Sequence, residues 1–239
     1  MDPLALLPTC VVEALAPRVG AAAIRVLRSV GYEPHIPDGV TCCGQPAWNA
    51  GAVEEAARVA RTTLAALATE PAVCVLAGSC ATMVRVYWPE LFDRVGDPDA
   101  AVAAREVASR TTEFTELVAR HLDRVRSPGT GERVAYHRSC HMTRELHLRD
   151  EPHEVLRRAG CDVEPWEADD RCCGFGGLFA VVEPEVSVAM ADDKLRALPD
   201  VDALVGADLS CLLQLEGRLR ALGLDLPVRH VAELLDPGR

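Results

Sequence analysis

Nowhere in the 239 residues is there a run of about 18 uninterrupted apolar side chains, the length a helix needs to cross a bilayer. No transmembrane segment is therefore expected. Clustered lysine and arginine are missing too: 25 basic residues stand against 36 acidic ones, for a net charge of −11. Nucleic acid and anionic membrane surfaces are held largely by such clusters, so neither is an expected partner. Aromatic residues make up only 4% of the chain, too few for a surface that stacks bases. There is no H-E-x-x-H helix, nucleophile elbow or Walker loop, and no catalytic residue is assigned. The N-terminus, MDPLALLPTCVVEALAPRVG, has no basic leader, and Pro8 and Glu13 interrupt its apolar run. A signal peptide is not expected, and a cytoplasmic location is.

Cysteine, by contrast, is abundant. Ten thiols in a reducing compartment do not read as a disulfide framework; metal binding or thiol redox chemistry does. Their spacing reveals an internal repeat. Cys10 lies 32 positions before the pair Cys42-Cys43, and Cys140 lies 32 positions before Cys172-Cys173. Gly44 and Gly174 follow the pairs; Cys80 comes 37 positions after Cys43, and Cys211 comes 38 after Cys173. The halves are thus offset by 130, 130, 130 and 131 residues, the mark of a duplication. The turn-rich stretch 126–132 is the expected seam, giving a first domain over 1–127 and a second over 128–239. Cys74 and Cys161 have no counterparts and are expected to be buried small hydrophobes.

Short apolar runs at 4–7, 73–76, 134–136 and 203–205 precede Cys10, Cys80, Cys140 and Cys211 and read as buried strands. Helical patterns lie between them, one with Val53, Ala57, Ala60, Leu64 and Leu67 on its apolar face, another with Leu212, Leu215, Leu219 and Leu222. A charged helix is expected over 101–124, joining the halves through Phe114, Leu117, Val118 and Leu122. Alternating strands and helices imply an α/β fold of two Rossmann-like β-α-β halves with parallel sheets. The cysteine loops would gather at the strand C-terminal ends, where ligands collect in open sheets.

Thiolates are the soft ligands preferred by iron–sulfur clusters and zinc. Adjacent residues of an extended chain point opposite ways, so a Cys-Cys pair aimed at one group needs an unusual turn, which the following glycine permits. A cluster with several metal atoms suits neighbouring sulfurs better than one zinc ion, which stands as the alternative. Gly44, Gly174, Gly176 and Gly177 are expected to offer backbone N–H groups to such a cluster. Gly174-Phe175-Gly176-Gly177 is a poor dinucleotide fingerprint, because Phe179 occupies the place of its last glycine. The expected ligands are Cys10, Cys42, Cys43 and Cys80 in one pocket, and Cys140, Cys172, Cys173 and Cys211 in another.

The twice-occurring C-x31-CC-G pattern with its later cysteine resembles the cysteine-rich CCG domain. That domain occurs in heterodisulfide reductases and in the iron–sulfur subunits of glycolate oxidase and anaerobic glycerol-3-phosphate dehydrogenase. Pro8-Thr9-Cys10, Cys42-Cys43-Gly44-Gln45-Pro46-Ala47 and Ala77-Gly78-Ser79-Cys80 are similar to the lactate utilization protein A family. So are Tyr136-His137, Ser139-Cys140, Cys172-Cys173-Gly174-Phe175-Gly176-Gly177, the segment Gly206-Ala207-Asp208-Leu209-Ser210-Cys211-Leu212-Leu213 and the closing His230-Val231-Ala232-Glu233. The resemblance implies one [4Fe-4S] cluster per half. It further implies an electron-transfer subunit, non-catalytic or co-catalytic, of an L-lactate dehydrogenase complex that makes pyruvate. The implied partners are a ferredoxin-like iron–sulfur subunit and a third small subunit. Disulfide or heterodisulfide reduction, a glycolate oxidase iron–sulfur subunit, and a zinc-stabilised structural protein are the alternatives. The heterodisulfide reductase motif ends in CxxC, whereas Ala77 and Asp208 stand three residues before Cys80 and Cys211. Each cluster is then held by four thiolates, or completed by Asp208 or an outside ligand.

His137 and His141 flank Cys140 and are candidate ligands, second-sphere donors, proton relays or caps of a strand-to-helix turn. His35, His121, His147 and His153 read as surface or packing residues. Arg138, Arg144 and Arg171 are expected to offset cluster charge, with attraction of a carboxylate substrate as the alternative. Asp169-Asp170 and Asp192-Asp193 read as solvated positions, and Trp48, Trp88 and Trp166 as core or interface residues.

Overall fold

The computed structural model describes residues 1–127, 129 and 131–238. The expected boundary at Pro128 lies outside the described residues, as does Thr130 within the seam. Among the described residues eight strands form two sheets of four: β1 (Asp2–Leu7), β2 (Tyr32–His35), β3 (Val73–Val75) and β4 (Thr111–Glu113) in the first half. The second holds β5 (Arg133–His137), β6 (Asp162–Val163), β7 (Ala203–Gly206) and β8 (Val228–His230). The orders are β2-β1-β3-β4 and β6-β5-β7-β8, and every pairing is parallel. Parallel strands covered by helices on both faces read as unbroken apolar runs. Leu4, Ala5, Leu6 and Leu7 are accordingly all buried, as are Ala203, Leu204, Val205 and Gly206. The result is a duplicated Rossmann-like architecture.

In each sheet the chain runs from the first strand to one side and then crosses to the other. The order therefore reverses between β1 and β3, and again between β5 and β7. Loops leaving the carboxyl ends of such a strand pair diverge and open a crevice. Cys10 follows β1 and Cys80 follows β3; Cys140 follows β5 and Cys211 follows β7. The cysteines flanking each crevice thus come from the two strands that create it.

The helices over Val53–Leu67 and Leu209–Ala221 match the apolar periodicity, but Leu222 lies beyond the second one and is 46% exposed. The single helix expected over 101–124 is a correction. A helix over Pro98–Ser109 ends, the chain extends as β4, and a second helix covers Phe114–Ala119. Two consecutive β-branched threonines, Thr111 and Thr112, favour the sheet edge over a helix interior. Buried Glu113 then restarts the helix, its Oε2 accepting from the N–H groups of Thr115 and Glu116 at 2.7 and 3.1 Å. Phe114, Leu117 and Val118 are buried as expected, and this short helix packs on the helix Glu151–Arg158 of the other half.

One apolar core runs through both halves, including Leu6, Leu27 and Val118 from the first and Tyr136, Leu156 and Leu234 from the second. The closing helix, Val231–Leu235, packs on the helix Pro17–Ser29, and Asp236 just beyond it accepts from Arg25 Nε at 2.9 Å. Cys74 and Cys161 are buried. Among the described residues no helix is long and apolar enough to cross a membrane.

Burial holds the Glu113 carboxyl up at about 7, against hydrogen bonds from Thr115 and Glu116 that favour its ionised form. Its Oε1 is buried without a hydrogen-bond partner among the described residues. The folded carboxyl keeps its proton to higher pH than the unfolded one. Stability from this group is therefore lost as pH rises from 4.5 to about 7, by at most about 3 kcal/mol. Urea midpoints of the wild type should carry this slope, and those of Glu113→Gln should lack it.

Candidate metal centre

Each first cysteine sits where a strand turns into a helix. Cys10 opens the helix Cys10–Leu15 behind Thr9, whose Oγ1 accepts from the N–H of Val12 at 3.4 Å. Cys140 opens the helix Cys140–Arg144 behind Ser139. Cys80 and Cys211 each stand third in a helix, in Gly78–Thr82 and Leu209–Ala221. Helix N-termini present unpaired N–H groups and a partial positive charge, which favour a thiolate.

The vicinal pairs arrive on loops after β2 and β6. Gly44 and Gly174 take left-handed backbone angles, φ 89° and 84°. Each turns its N–H back onto the first sulfur of its pair, Gly44 to Cys42 Sγ and Gly174 to Cys172 Sγ, both at 3.4 Å. In the second half a further N–H···S bond, of 3.5 Å, comes from Phe175 to Cys173. Gly176 and Gly177 line the same cavity, and Gly177 closes on Pro46 of the other half.

The sequence suggested two separate pockets. All eight of the repeated cysteines instead line one cavity of about 430 Å³ between the halves, with Gln45, Ser79, His141 and Asp208. Within it they remain two sets. Cys43 donates to Cys80 across 3.1 Å, and Cys42 is hydrogen-bonded to Cys10 and Cys43. Cys172 is likewise bonded to Cys140 and Cys173, and Cys173 to Cys211. Asp208 ties the halves together: its Oδ2 accepts from the N–H of Ser79 at 2.9 Å and its Oδ1 from Ser210 Oγ at 2.6 Å.

The electrostatics of the two sets match. Hydrogen bonds from Cys10 and Cys43, helped by the Gly44 N–H, pull Cys42 down to about 3 against the cost of burial. The donors move the other way: bonding to Cys42, burial and neighbouring sulfur charge push Cys10 and Cys43 up. Cys172 falls to about 2 for the same reasons, while Cys140 and Cys173 rise. With protons alone, then, Cys42 and Cys172 ionise first, each solvated by the neighbours that donate to it. Four thiolates together require a cation.

His137 is buried, and burial followed by the charge of Lys194 lowers it to about 3, so the ring is neutral. His141 Nδ1 lies 3.8 Å from Cys140 Sγ, and its Nε2 lies 3.4 Å from Gln45 Nε2. His35 and His147 are exposed, and His121 and His153 half-buried. Arg138 pairs with Asp169 and Arg171 with Asp193, each at 2.9 Å, so both arginines neutralise carboxylates. Asp192 pairs with Arg218. Trp88 and Trp166 are buried and Trp48 is half-buried.

Three contributors escaped the sequence reading. The Gln45 amide donates to the Ser79 carbonyl at 2.9 Å, and the Trp88 indole donates to the Cys43 carbonyl at 2.8 Å, fixing the first loop. Lys194 is buried, its Nζ bonding the carbonyls of Ala168 and Asp169 ahead of the second pair. The signal for Lys194 was available. Ser187, Ala191, Lys194 and Leu195 form the buried stripe of the helix Pro184–Arg196, and a lysine there needs acceptors.

A profile of the cysteine-rich domain CCG matches residues 4–85 and 134–216, once per half. Lactate utilization protein A 1 of Bacillus anthracis (strain CDC 684 / NRRL 3495) is 36% identical over 239 residues, covering 98% of both chains. The chain belongs to the lactate utilization protein A family. Lactate utilization protein A of Geobacillus kaustophilus (strain HTA426), 37% identical over 238 residues with 98% of each chain covered, is another member. Lactate utilization protein A 2 of Bacillus cereus (strain Q1) is 36% identical over the same share of both chains. A crystal structure of arylmalonate decarboxylase aligns over 98% of this chain and 88% of that one at 14% identity, with a TM-score of only 0.25. In this family member the clustered thiols of the CCG domains form a donor set for a metal or an iron–sulfur group.

A side chain at Gly44 would place its Cβ 2.8 Å from the Ala56 carbonyl oxygen, and one at Gly174 would place it 2.5 Å from that of Ser187. Both neighbours are backbone, and both φ angles are strained for an L-residue. Gly44→Ala and Gly174→Ala should each lower unfolding free energy by about 1–3 kcal/mol. Denaturant titration of each variant measures this.

Proposed function

We propose that this chain is the iron–sulfur electron-transfer subunit of a system that oxidises L-lactate to pyruvate. Cys10, Cys42, Cys43 and Cys80 hold one [4Fe-4S] cluster, and Cys140, Cys172, Cys173 and Cys211 hold the second. The observation that carries this reading is the gathering of eight thiols, as two sets, around one cavity of about 430 Å³. A water molecule claims about 30 Å³ of liquid, so the space suits inorganic groups far larger than a single ion.

A bound cluster would supply one-electron redox chemistry. The chain's own residues supply the rest. The N–H groups of Gly44, Gly174 and Phe175 point at sulfurs, and such bonds stabilise the reduced, more negative state of a cluster. Gly176 and Gly177 leave room for a bulky group at the rim. The apolar core behind Cys43 and Cys173, both buried, keeps water from the inner sulfurs.

Oxidation of a 2-hydroxy acid to a 2-oxo acid releases two electrons and two protons. Two one-electron centres in one protein match that pair. The relatives' name supports lactate as the donor. The proposed partners are a ferredoxin-like iron–sulfur subunit and a third small subunit, in the cytoplasm.

Anaerobically purified protein should contain iron and acid-labile sulfide and give a paramagnetic signal on reduction. Zinc without iron, and no visible absorbance, would overturn the reading. Cys42→Ser or Cys172→Ser should each remove about half of the iron, since the sets bind separately. Deleting the gene should abolish growth on L-lactate. Intact growth on lactate with a glycolate defect would instead assign the subunit to glycolate oxidation.

A further inference from the structure

The two halves differ in chemistry at the buried residue that closes the strand before each first cysteine. Leu7 ends β1 and pairs in register with Val75; His137 ends β5 and pairs with Gly206. The repeat offset of 130 makes them counterparts, and each is 1% exposed. Leucine in that place asks for no polar partner. Imidazole has two ring nitrogens, one a donor and one an acceptor when neutral. Neither nitrogen of His137 has a side-chain hydrogen-bond partner among the described residues, although both are buried, and the ring is within reach of the Asp169 backbone.

The ring does not face an apolar wall. One of its nitrogens, Cys173 Sγ and Cys211 Sγ all lie within 4.8 Å of one another. Ligands around one metal at about 2.0–2.3 Å from it are separated by distances of this order. Cys80 and Cys43, the corresponding pair in the first half, have only Leu7 at the equivalent place.

We infer that His137 is a ligand to the metal held by the second cysteine set. The second centre is then a mixed thiolate–imidazole site, and the first is a thiolate-only site. This rests on the cysteine sets being metal sites, as proposed above. The inference adds a fifth donor in one half and makes the two centres chemically distinct. His141 is the rival donor: it lines the cavity, with Nδ1 3.8 Å from Cys140 Sγ and Nε2 3.4 Å from Gln45 Nε2.

The full chain, reconstituted anaerobically with iron and sulfide, tests this by pulsed paramagnetic resonance of the reduced protein. Wild-type protein grown with ¹⁵N-histidine should show a strong coupling to a histidine nitrogen that changes with the label. The coupling should survive in H141Q and vanish in H137L, which installs the residue of the first half. A coupling that persists in H137L overturns the inference. So does its absence from wild-type protein that carries both clusters, a result that needs no variant to fold.

Protein that retains no iron or sulfide would sink the electron-transfer reading separately. Co(II) then reports on His137 alone. An absorption band set shifted by H137L supports imidazole ligation, and an unchanged one overturns it.

Discussion

Sulfur atoms brought together in a buried pocket cannot all lose their protons in one another's company. Two unit charges 4 Å apart repel by about 4 kcal/mol at an effective dielectric of 20, and each set holds four thiols. The outcome without a cation is visible in the opposed shifts: Cys42 and Cys172 ionise readily, and the thiols that donate to them hold their protons. A positively charged group reverses that balance for every member of a set at once. The arrangement is tuned for such a group. Helix starts, glycine N–H groups and a shared cavity all face the sulfurs, and Asp208 is the one carboxylate on the cavity wall among the described residues. Its oxygens are already occupied by Ser79 and Ser210.

The scaffold that brings this about is economical in kind. Each half is a parallel sheet whose order reverses beside its first strand, so two of the four thiols come from the adjacent strands that flank the reversal. The remaining two come as a pair from the loop after the neighbouring strand. Glycine conformations set the pair, and large buried groups hold the loops in place: Trp88 on the Cys43 carbonyl, and Lys194 on the carbonyls preceding Cys172. The two halves solve the same positioning problem with different side chains. That difference shows the duplicated copies have diverged in detail while retaining their cysteine frame.

Much of this could be read from the order of residues. The 130-residue offset of the cysteines exposed the duplication, and the short apolar runs ahead of four of them located the central strands. Edge elements were less legible. β4 hides inside a charged, alanine-rich stretch where only Thr111 and Thr112 signal an extended chain, and pairing with β3 decides the matter. The merging of two pockets into one cavity was also beyond reach, because it depends on how one half docks against the other. Gln45, Trp88 and Lys194 act through backbone carbonyls distant in sequence, and no local pattern reports such contacts. The buried lysine is the exception, since its place on an otherwise apolar helical stripe marks it.

The common core has a bearing on how the gene can be rearranged. Leu27 and Val118 of the leading half share apolar contacts with a cluster that includes Leu156 and Leu234 of the trailing half. Either half made as a separate polypeptide would leave its side of that seam open to water, at roughly 25 cal/mol for each Å² of apolar surface laid bare. Natural fission into two genes, or secretion of one half as an autonomous module, is therefore disfavoured. The covalent link between the copies keeps each supplied with its complement at a fixed one-to-one ratio from the moment of synthesis.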